Sequence, residues 1–352
     1  MNQEHKKWIW ISVGLSTLFL IGLLYFTFDE STITALKNLS PSIIILALAI
    51  HVLALVCWAL RIKVMAYSLG YHVGLFHCIN LVFANLFLAA ITPSQAGGEP
   101  VRVHELYRAN VKVGDATAIV IMERVLDGII FGLGGAITLF LLGTAWQDVN
   151  IPGVVTTVIY LTWAVVTIGV VLFAFSVRNP LILKRLMRTI SGFVTKKWEL
   201  ARVERFMEKV DREVDNFHFS LGKFIGRGKL GLFLGLIFTG FFWFLEFLIA
   251  SVLLIGLGQG PNFLESFVSQ LIIAIIMMIP LTPGGAGVAE ISISSIYGLF
   301  ISTSVIGVFV LLWRIILYYF NIAVGVVSSI LIVRREVGSV DNDQHLHNLE
   351  DT

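Results

Sequence analysis

Charged residues interrupt the apolar runs of this chain at a few places, and those places limit the chemistry it can do. Glu123, Arg124 and Asp127 lie in one run, Glu246 in a second, and Arg314, followed by Tyr318 and Tyr319, in a third. A charge carried into a bilayer core costs roughly 2.5–3.5 kcal/mol on insertion scales, so such residues face a cavity and pair. Arginine there suits the phosphate or carboxylate of an anionic ligand. The same residues could instead form structural ion pairs, Arg124 with Asp127 or Arg314 with Glu246. Both readings stand at the level of sequence. Glu123 and Asp127 are one helical turn apart and so share a face.

The charges stand beside a repeated motif. Thr92-Pro93-Ser94-Gln95-Ala96-Gly97-Gly98-Glu99 closes one apolar segment, and Thr282-Pro283-Gly284-Gly285-Ala286-Gly287-Val288-Ala289-Glu290 closes another. Thr, Pro, Ala and Gly recur at the same offsets, and Arg124 and Arg314 follow their Thr at equal distance. Proline breaks the incoming helix, and the glycines admit backbone conformations closed to other residues. Pro100 suits the first turn of a new helix near Glu99. A helix N-terminus carries unpaired N–H groups and partial positive charge, a seat for an anion. Glycines also serve close helix packing in membranes. Glu99 and Glu290 are candidates to hold the arginines when no ligand is bound, or to carry a proton.

The elements that must position these residues are membrane helices. Hydrophobic residues make up 57% of the 352 positions, charged residues 14%, and mean hydropathy is +0.87; soluble domains run at about 45–50% apolar and about 25% charged. Clear spans fall at 8–28, 43–66, 116–143, 151–176, 230–257 and 303–333, several reaching the roughly 20 residues a bilayer requires. The first reads as a retained span, since it is long for a signal sequence and lacks a small-residue cleavage site. Cys57 and Cys78 sit in apolar segments and imply no disulfide framework.

Two shorter runs, 75–92 and 263–281, lead into the Thr-Pro motifs, and short segments 99–110 and 286–301 follow them. Lysine and arginine concentrate in cytoplasmic loops. If both motif segments are re-entrant hairpins, the basic clusters at Lys6–Lys7, Arg61–Lys63, Arg102–Lys112, Arg178–Lys229 and Arg334–Arg335 all become cytoplasmic. The expected fold is therefore all-α and polytopic, with about six transmembrane helices and two re-entrant helical hairpins, both termini inside. The units 43–143 and 230–333 then form inverted repeats within one membrane domain, 1–335, and transporters of this kind place their site near the midplane.

Segment 178–229 is basic, and Leu200, Val203, Phe206, Val210, Val214 and Phe217 give it one apolar stripe. It fits either a helix on an anionic cytoplasmic leaflet or a connector packed on the bundle. The tail 336–352 is polar and expected to be disordered; His345 and His347 in it read as solvated, and no metal site is expected.

Four ordered motifs, Thr-Pro-Ser-Gln-Ala-Gly-Gly-Glu-Pro-Val-Arg (92–102), Glu-Arg-Val-Leu-Asp (123–127), Pro-Leu-Thr-Pro-Gly-Gly-Ala-Gly-Val-Ala-Glu (280–290) and Trp-Arg-Ile-Ile-Leu-Tyr-Tyr (313–319), resemble the lysylphosphatidylglycerol synthase transmembrane region. That family is also called the flippase-like domain, or UPF0104. The resemblance covers nearly the whole chain and implies a multi-pass lipid translocator of the cell membrane. Bifunctional members move an aminoacylated phospholipid made by an attached soluble synthase. No such domain is expected after the last span here, so aminoacyl-phosphatidylglycerol is one candidate cargo among anionic phospholipids, glycolipids and polyprenyl-phosphate lipids. The residues carried over by motif are Thr92, Pro93, Gly97, Gly98, Glu99, Arg102, Glu123, Arg124, Asp127, Thr282, Pro283, Gly284, Gly285, Gly287, Glu290 and Arg314, and Tyr318 joins them as a neighbour of Arg314.

The expected activity is translocation, with no catalytic residue, cofactor or nucleic-acid partner. The alternatives are a transporter or channel for a small soluble anion and a membrane subunit that recruits a separate cytoplasmic lipid synthase. An intramembrane lipid-modifying enzyme is disfavoured, since no metal-protease, paired-Asp or Ser/His/Asp pattern occurs in the spans and His51, His72 and His77 are isolated in sequence. Self-association into a homo-oligomer is compatible with all of these.

Overall fold

The computed structural model describes residues 39–92, 98–144, 228–277 and 282–332, with scattered positions elsewhere; the described residues contain helices and no strand. The expected spans 8–28 and 151–176, most of the basic segment 178–229, the tail 336–352 and the motif residues Pro93 and Gly97 lie outside them.

The helices follow one order twice. Helix α1 (Pro41–Ser68) is long, α2 (Leu75–Ile91) and α3 (Gly98–Arg108) are short, and α4 (Val113–Thr144) is long. Then α5 (Lys229–Gly256) is long, α6 (Phe263–Met277) and α7 (Val288–Tyr297) are short, and α8 (Thr303–Ile332) is long. Helices α1, α5 and α8 have the length and hydropathy to cross a membrane. The short helices have 17, 11, 15 and 10 residues. At about 1.5 Å per residue they fall short of the roughly 30 Å hydrocarbon core.

Local chemistry sets the ends. Pro41 opens α1, where its missing N–H costs nothing. Gly70, at φ +93°, closes it, and the Tyr71 N–H donates to the Ala66 carbonyl at 3.0 Å in the glycine-capped manner. Asn110 closes α3 in the same left-handed region at φ +64°; asparagine tolerates that region better than most side chains.

The chain clusters into two compact units. One comprises residues 1–59, 75–102 and 244–352, the other 60–74 and 103–243. Within the first, Gly98 lies beside Asn85, so close that a Cβ would collide with the Asn85 side chain; the chain has turned back along α2 by then. Helices α6 and α7 also fold back on each other, with Gln270 Nε2 donating to Tyr297 Oη at 2.9 Å. Gly325 of α8 lets α2 approach until a Cβ there would stand 2.6 Å from the Phe83 carbonyl oxygen. The 3₁₀ turn Pro283–Gly285 packs against α2. Within the second unit, Gly231 takes the same close-packing role against Ser68 and the Val64 carbonyl. Small residues at such crossings are how membrane helices gain contact, lipid being as apolar as the side chains.

The burial pattern is that of a membrane protein. Leu53, Phe233, Phe241, Val327 and Ile330 are exposed, whereas His51, Arg61, Arg102, Glu123, Asp127, Glu290, Arg314 and Asn321 are buried. Apolar residues outside and paired charges inside suit lipid as the solvent.

Candidate functional site

The second Thr-Pro motif builds a charged centre in the first unit. Gly284, Gly285 and Gly287 have φ of +59°, +66° and +83°, a left-handed succession that side-chain-bearing residues resist. Thr282 Oγ1 donates to the Ala286 carbonyl at 2.8 Å and braces the turn. Gly287 then caps α7, and its N–H donates to Glu290 Oε2 at 2.7 Å. Glu290 therefore supplies its own helix N-terminus with negative charge, as a carboxylate in the first turn does.

Arg314 completes the centre. Its Nη2 donates to Glu290 Oε2 at 2.7 Å and to the Gly285 carbonyl at 3.0 Å, and its Nη1 reaches the Gly284 carbonyl at 3.5 Å. The Tyr318 ring lies 4.8 Å from the guanidinium carbon, a favourable cation–π distance. Arg314 and Glu290 are 1% and 2% exposed, so the pair is removed from solvent on both sides. Arg314 Nε is buried without a hydrogen-bond partner among the described residues. Directly after Arg314, α8 widens into a π turn, Ile315–Tyr319; such turns are rare and gather at functional sites.

The glycine turn thus presents carbonyls to the cation and an N–H to the carboxylate. Glu290 fills the place expected for a bound anion, and Arg314 pairs with it rather than with Glu246.

The first motif is built differently despite its matching letters. Thr92 Oγ1 donates back to the Leu88 carbonyl at 2.7 Å, inside its own helix. Glu99 is half-exposed and stands 3.9 Å from Arg102 Nη2. Arg102 is fully buried, with its guanidinium carbon 5.7 Å from the Trp58 ring.

In the second unit, Glu123 and Asp127 converge as their spacing predicts, but on Arg61. Arg61 Nε donates to Glu123 Oε1 at 2.9 Å, and its Nη1 donates to Asp127 Oδ1 at 2.7 Å and to Thr239 Oγ1 at 3.3 Å. Trp243 Nε1 donates to the same Asp127 oxygen at 2.9 Å. Arg124 stands 3.6 Å from Asp127 Oδ2 and is 43% exposed, unlike Arg314. Among the described residues, two arginines and two carboxylates meet here.

Sequence reasoning assigned Arg61 to a cytoplasmic cluster because it ends an apolar run, and it missed its burial. Arg102, counted with the loop charges as well, is also buried. His51 is not isolated in space: its ring bonds Glu246 and Asn321. The available signal was Glu246 itself, a charge in mid-span that requires a partner.

Eight described helices, apolar outside and charged within, define a multi-pass helical membrane protein with buried ion-pair centres. Comparison with known proteins gives the family. Residues 9–325 match the lysylphosphatidylglycerol synthase TM region, and the chain belongs to that family. It is similar to a UPF0104 membrane protein of Archaeoglobus fulgidus, 33% identical over 90% of this chain and 95% of the relative. A UPF0104 membrane protein of Methanocaldococcus jannaschii is 26% identical over 92% and 94% of the two chains. One from Pyrococcus horikoshii is 24% identical over 83% and 87%.

Proposed function

We propose that this protein is a translocator of an anionic lipid, and that the headgroup phosphate binds Arg314 at the glycine turn 283–287. The observation that carries the reading is the buried Arg314–Glu290 pair. A carboxylate already occupies the position an anion would take, bonded to a buried arginine and to a backbone N–H. Stripping one partner from a buried ion pair costs about 3–5 kcal/mol. Exchange of Glu290 for a lipid phosphate leaves Arg314 paired throughout, which spares the arginine that cost, and the displaced Glu290 carboxylate takes up a proton or water.

On this reading α2–α3 and α6–α7 are re-entrant hairpins, supported by their short helices and reversed chain direction. The units 43–143 and 230–333 are inverted repeats, supported by the long-short-short-long order of helices. The membrane is the cell membrane, and the activity is translocation rather than catalysis. Aminoacyl-phosphatidylglycerol belongs among the candidate cargoes because of the family, and a separate lipid synthase is the partner that would supply it. Arg314 binds the headgroup that displaces Glu290, while Arg61, Glu123, Arg124 and Asp127 form a structural network in the other unit.

The test is flipping of fluorescent phosphatidylglycerol in proteoliposomes, read by chemical quenching of the outer leaflet. Arg314→Ala is expected to abolish protein-dependent flipping, and Lys223→Ala, outside the site, to retain it. Arg314→Ala flipping as fast as an active wild type would remove this site. Uptake of inorganic phosphate by the same vesicles without lipid movement would reassign the centre to a soluble anion.

A further inference from the structure

A second charged group in the first unit lies apart from the Arg314 centre and has no role in the reading above. His51 of α1 is 2% exposed, with Nδ1 2.8 Å from Glu246 Oε1 of α5 and Nε2 2.9 Å from Asn321 Oδ1 of α8. Three long helices meet at one imidazole.

The hydrogen-bond roles are fixed by elimination. Asn321 Nδ2 donates to the Leu317 carbonyl at 2.7 Å, an acceptor only, so the amide oxygen faces His51. Nε2 must therefore be the donor to Asn321. A neutral imidazole has one N–H, so Nδ1 would then carry a lone pair. Facing an ionised Glu246 at hydrogen-bond distance, that lone pair would meet another. The contact requires one more proton, on Nδ1 as imidazolium beside carboxylate, or on Glu246 as carboxylic acid beside neutral imidazole. Either way the pair is neutral and shares a single proton.

We propose that His51 and Glu246 form a proton-binding site within the helix bundle, which takes up and releases one proton as a unit. Release leaves net charge −1 and opposed lone pairs. The α1–α5 contact must then open, while the Nε2–Asn321 link from α1 to α8 survives. Glu246 is 13% exposed against 2% for His51, which leaves the carboxyl the more accessible end of the pair.

Among the described residues, few other titratable groups stand near. Within two turns along α1, α5 and α8 they are Cys57, Arg314, Tyr318 and Tyr319. Arg314 is held by Glu290 and lies against Tyr318. Helix α2, packed on Gly325, contributes His77 and Cys78, and α6, whose Phe267 packs on Phe244 and Phe247, contributes Glu265. Among the described residues, Glu246 is the charged group bonded to the ring.

The test is a pH titration of the full protein in phosphatidylcholine vesicles, followed by infrared difference spectroscopy and by ¹⁵N NMR of labelled histidine. The expected result is one step in which carboxyl and imidazole signals change together, lost in Glu246→Gln and in His51→Gln. In the wild type, Nδ1 of the ring changes across the step while Nε2 remains protonated, a readout that needs no variant to fold. The proposal is overturned if no joint step occurs while the protein stays folded, if the step persists in either variant, or if Nε2 is the nitrogen that loses its proton. None of these readouts depends on lipid movement, so their outcome is separate from that of the flipping assay.

Discussion

At the residue scale, the Arg314–Glu290 pair gives the strongest expectations. Glu290→Ala leaves a buried guanidinium without its counter-charge, and thermal unfolding in detergent should show a loss of about 3–5 kcal/mol. The double variant Glu290→Ala/Arg314→Ala should lose less than the two single losses added, because the uncompensated charge disappears with its partner. Additive losses would mean the two residues do not act as a pair. Gly285→Ala should cost about 1–2 kcal/mol from its left-handed backbone, and its new Cβ must also displace Met277; an unchanged melting profile would contradict the turn geometry. The importance of Arg314 and Glu290 was legible, since a charge in an apolar run and a glycine break both demand explanation. Their pairing was not, because nothing in the spacing prefers Glu290 to Glu246. Arg124 matches Arg314 letter for letter, yet one is 43% exposed and the other 1%. Arg61 escaped notice because an arginine at the end of an apolar run ordinarily snorkels to the interface. The partner of His51 lies 195 residues away, beyond any periodicity.

At the scale of elements, the helix order was written in the lengths of the apolar runs. The detail of the motifs was not, because Thr92 bonds back into α2 while Thr282 bonds forward across a turn. Side-chain reach, not letter, decides which carbonyl a hydroxyl finds. Helix packing here is testable at Gly325. A leucine there would meet the Phe83 carbonyl and Phe87, separating α2 from α8, with a destabilisation of about 1–3 kcal/mol expected from overpacking; proteolysis of the α8 region should rise, and wild-type resistance would argue against the contact. The turn after α1 is tied to α4 by Tyr71, whose hydroxyl donates to Asp115, which also accepts from Lys223 Nζ at 2.9 Å. Burial and that carboxylate push the Tyr71 phenol from 10.0 up to about 12. The folded state then holds this proton more tightly than the unfolded one. The stabilisation is full below pH 10 and is lost as pH rises to about 12. Melting temperature should fall across that window, and Tyr71→Phe should flatten this part of the profile.

At the scale of the whole molecule, composition alone established the solvent: exposed leucine and phenylalanine around buried arginine and glutamate is what 57% hydrophobic residues with 14% charged residues must become in lipid. Orientation was less legible, because two arginines counted as loop charges, Arg61 and Arg102, are interior. The proposed inverted arrangement has a direct test. Single cysteines placed at Lys112 and at Gly260, with Cys57 and Cys78 replaced by serine, should react with a membrane-impermeant thiol reagent from opposite sides of sealed vesicles. Labelling from one side would end the inverted-repeat reading. The wide turn at Ile315–Tyr319 bears on how such a molecule could move. It holds one residue more than regular winding needs, so it is a dislocation in the helix with Arg314 on one side and Asn321 on the other. Winding that turn back to regular pitch would rotate everything beyond it by about 100°. Asn321 would then leave His51 while Arg314 stayed seated on Glu290. Deleting Ile316 should therefore take Asn321 from His51 while leaving the Arg314–Glu290 pair in place, so the register of α8 decides whether the two centres stay joined.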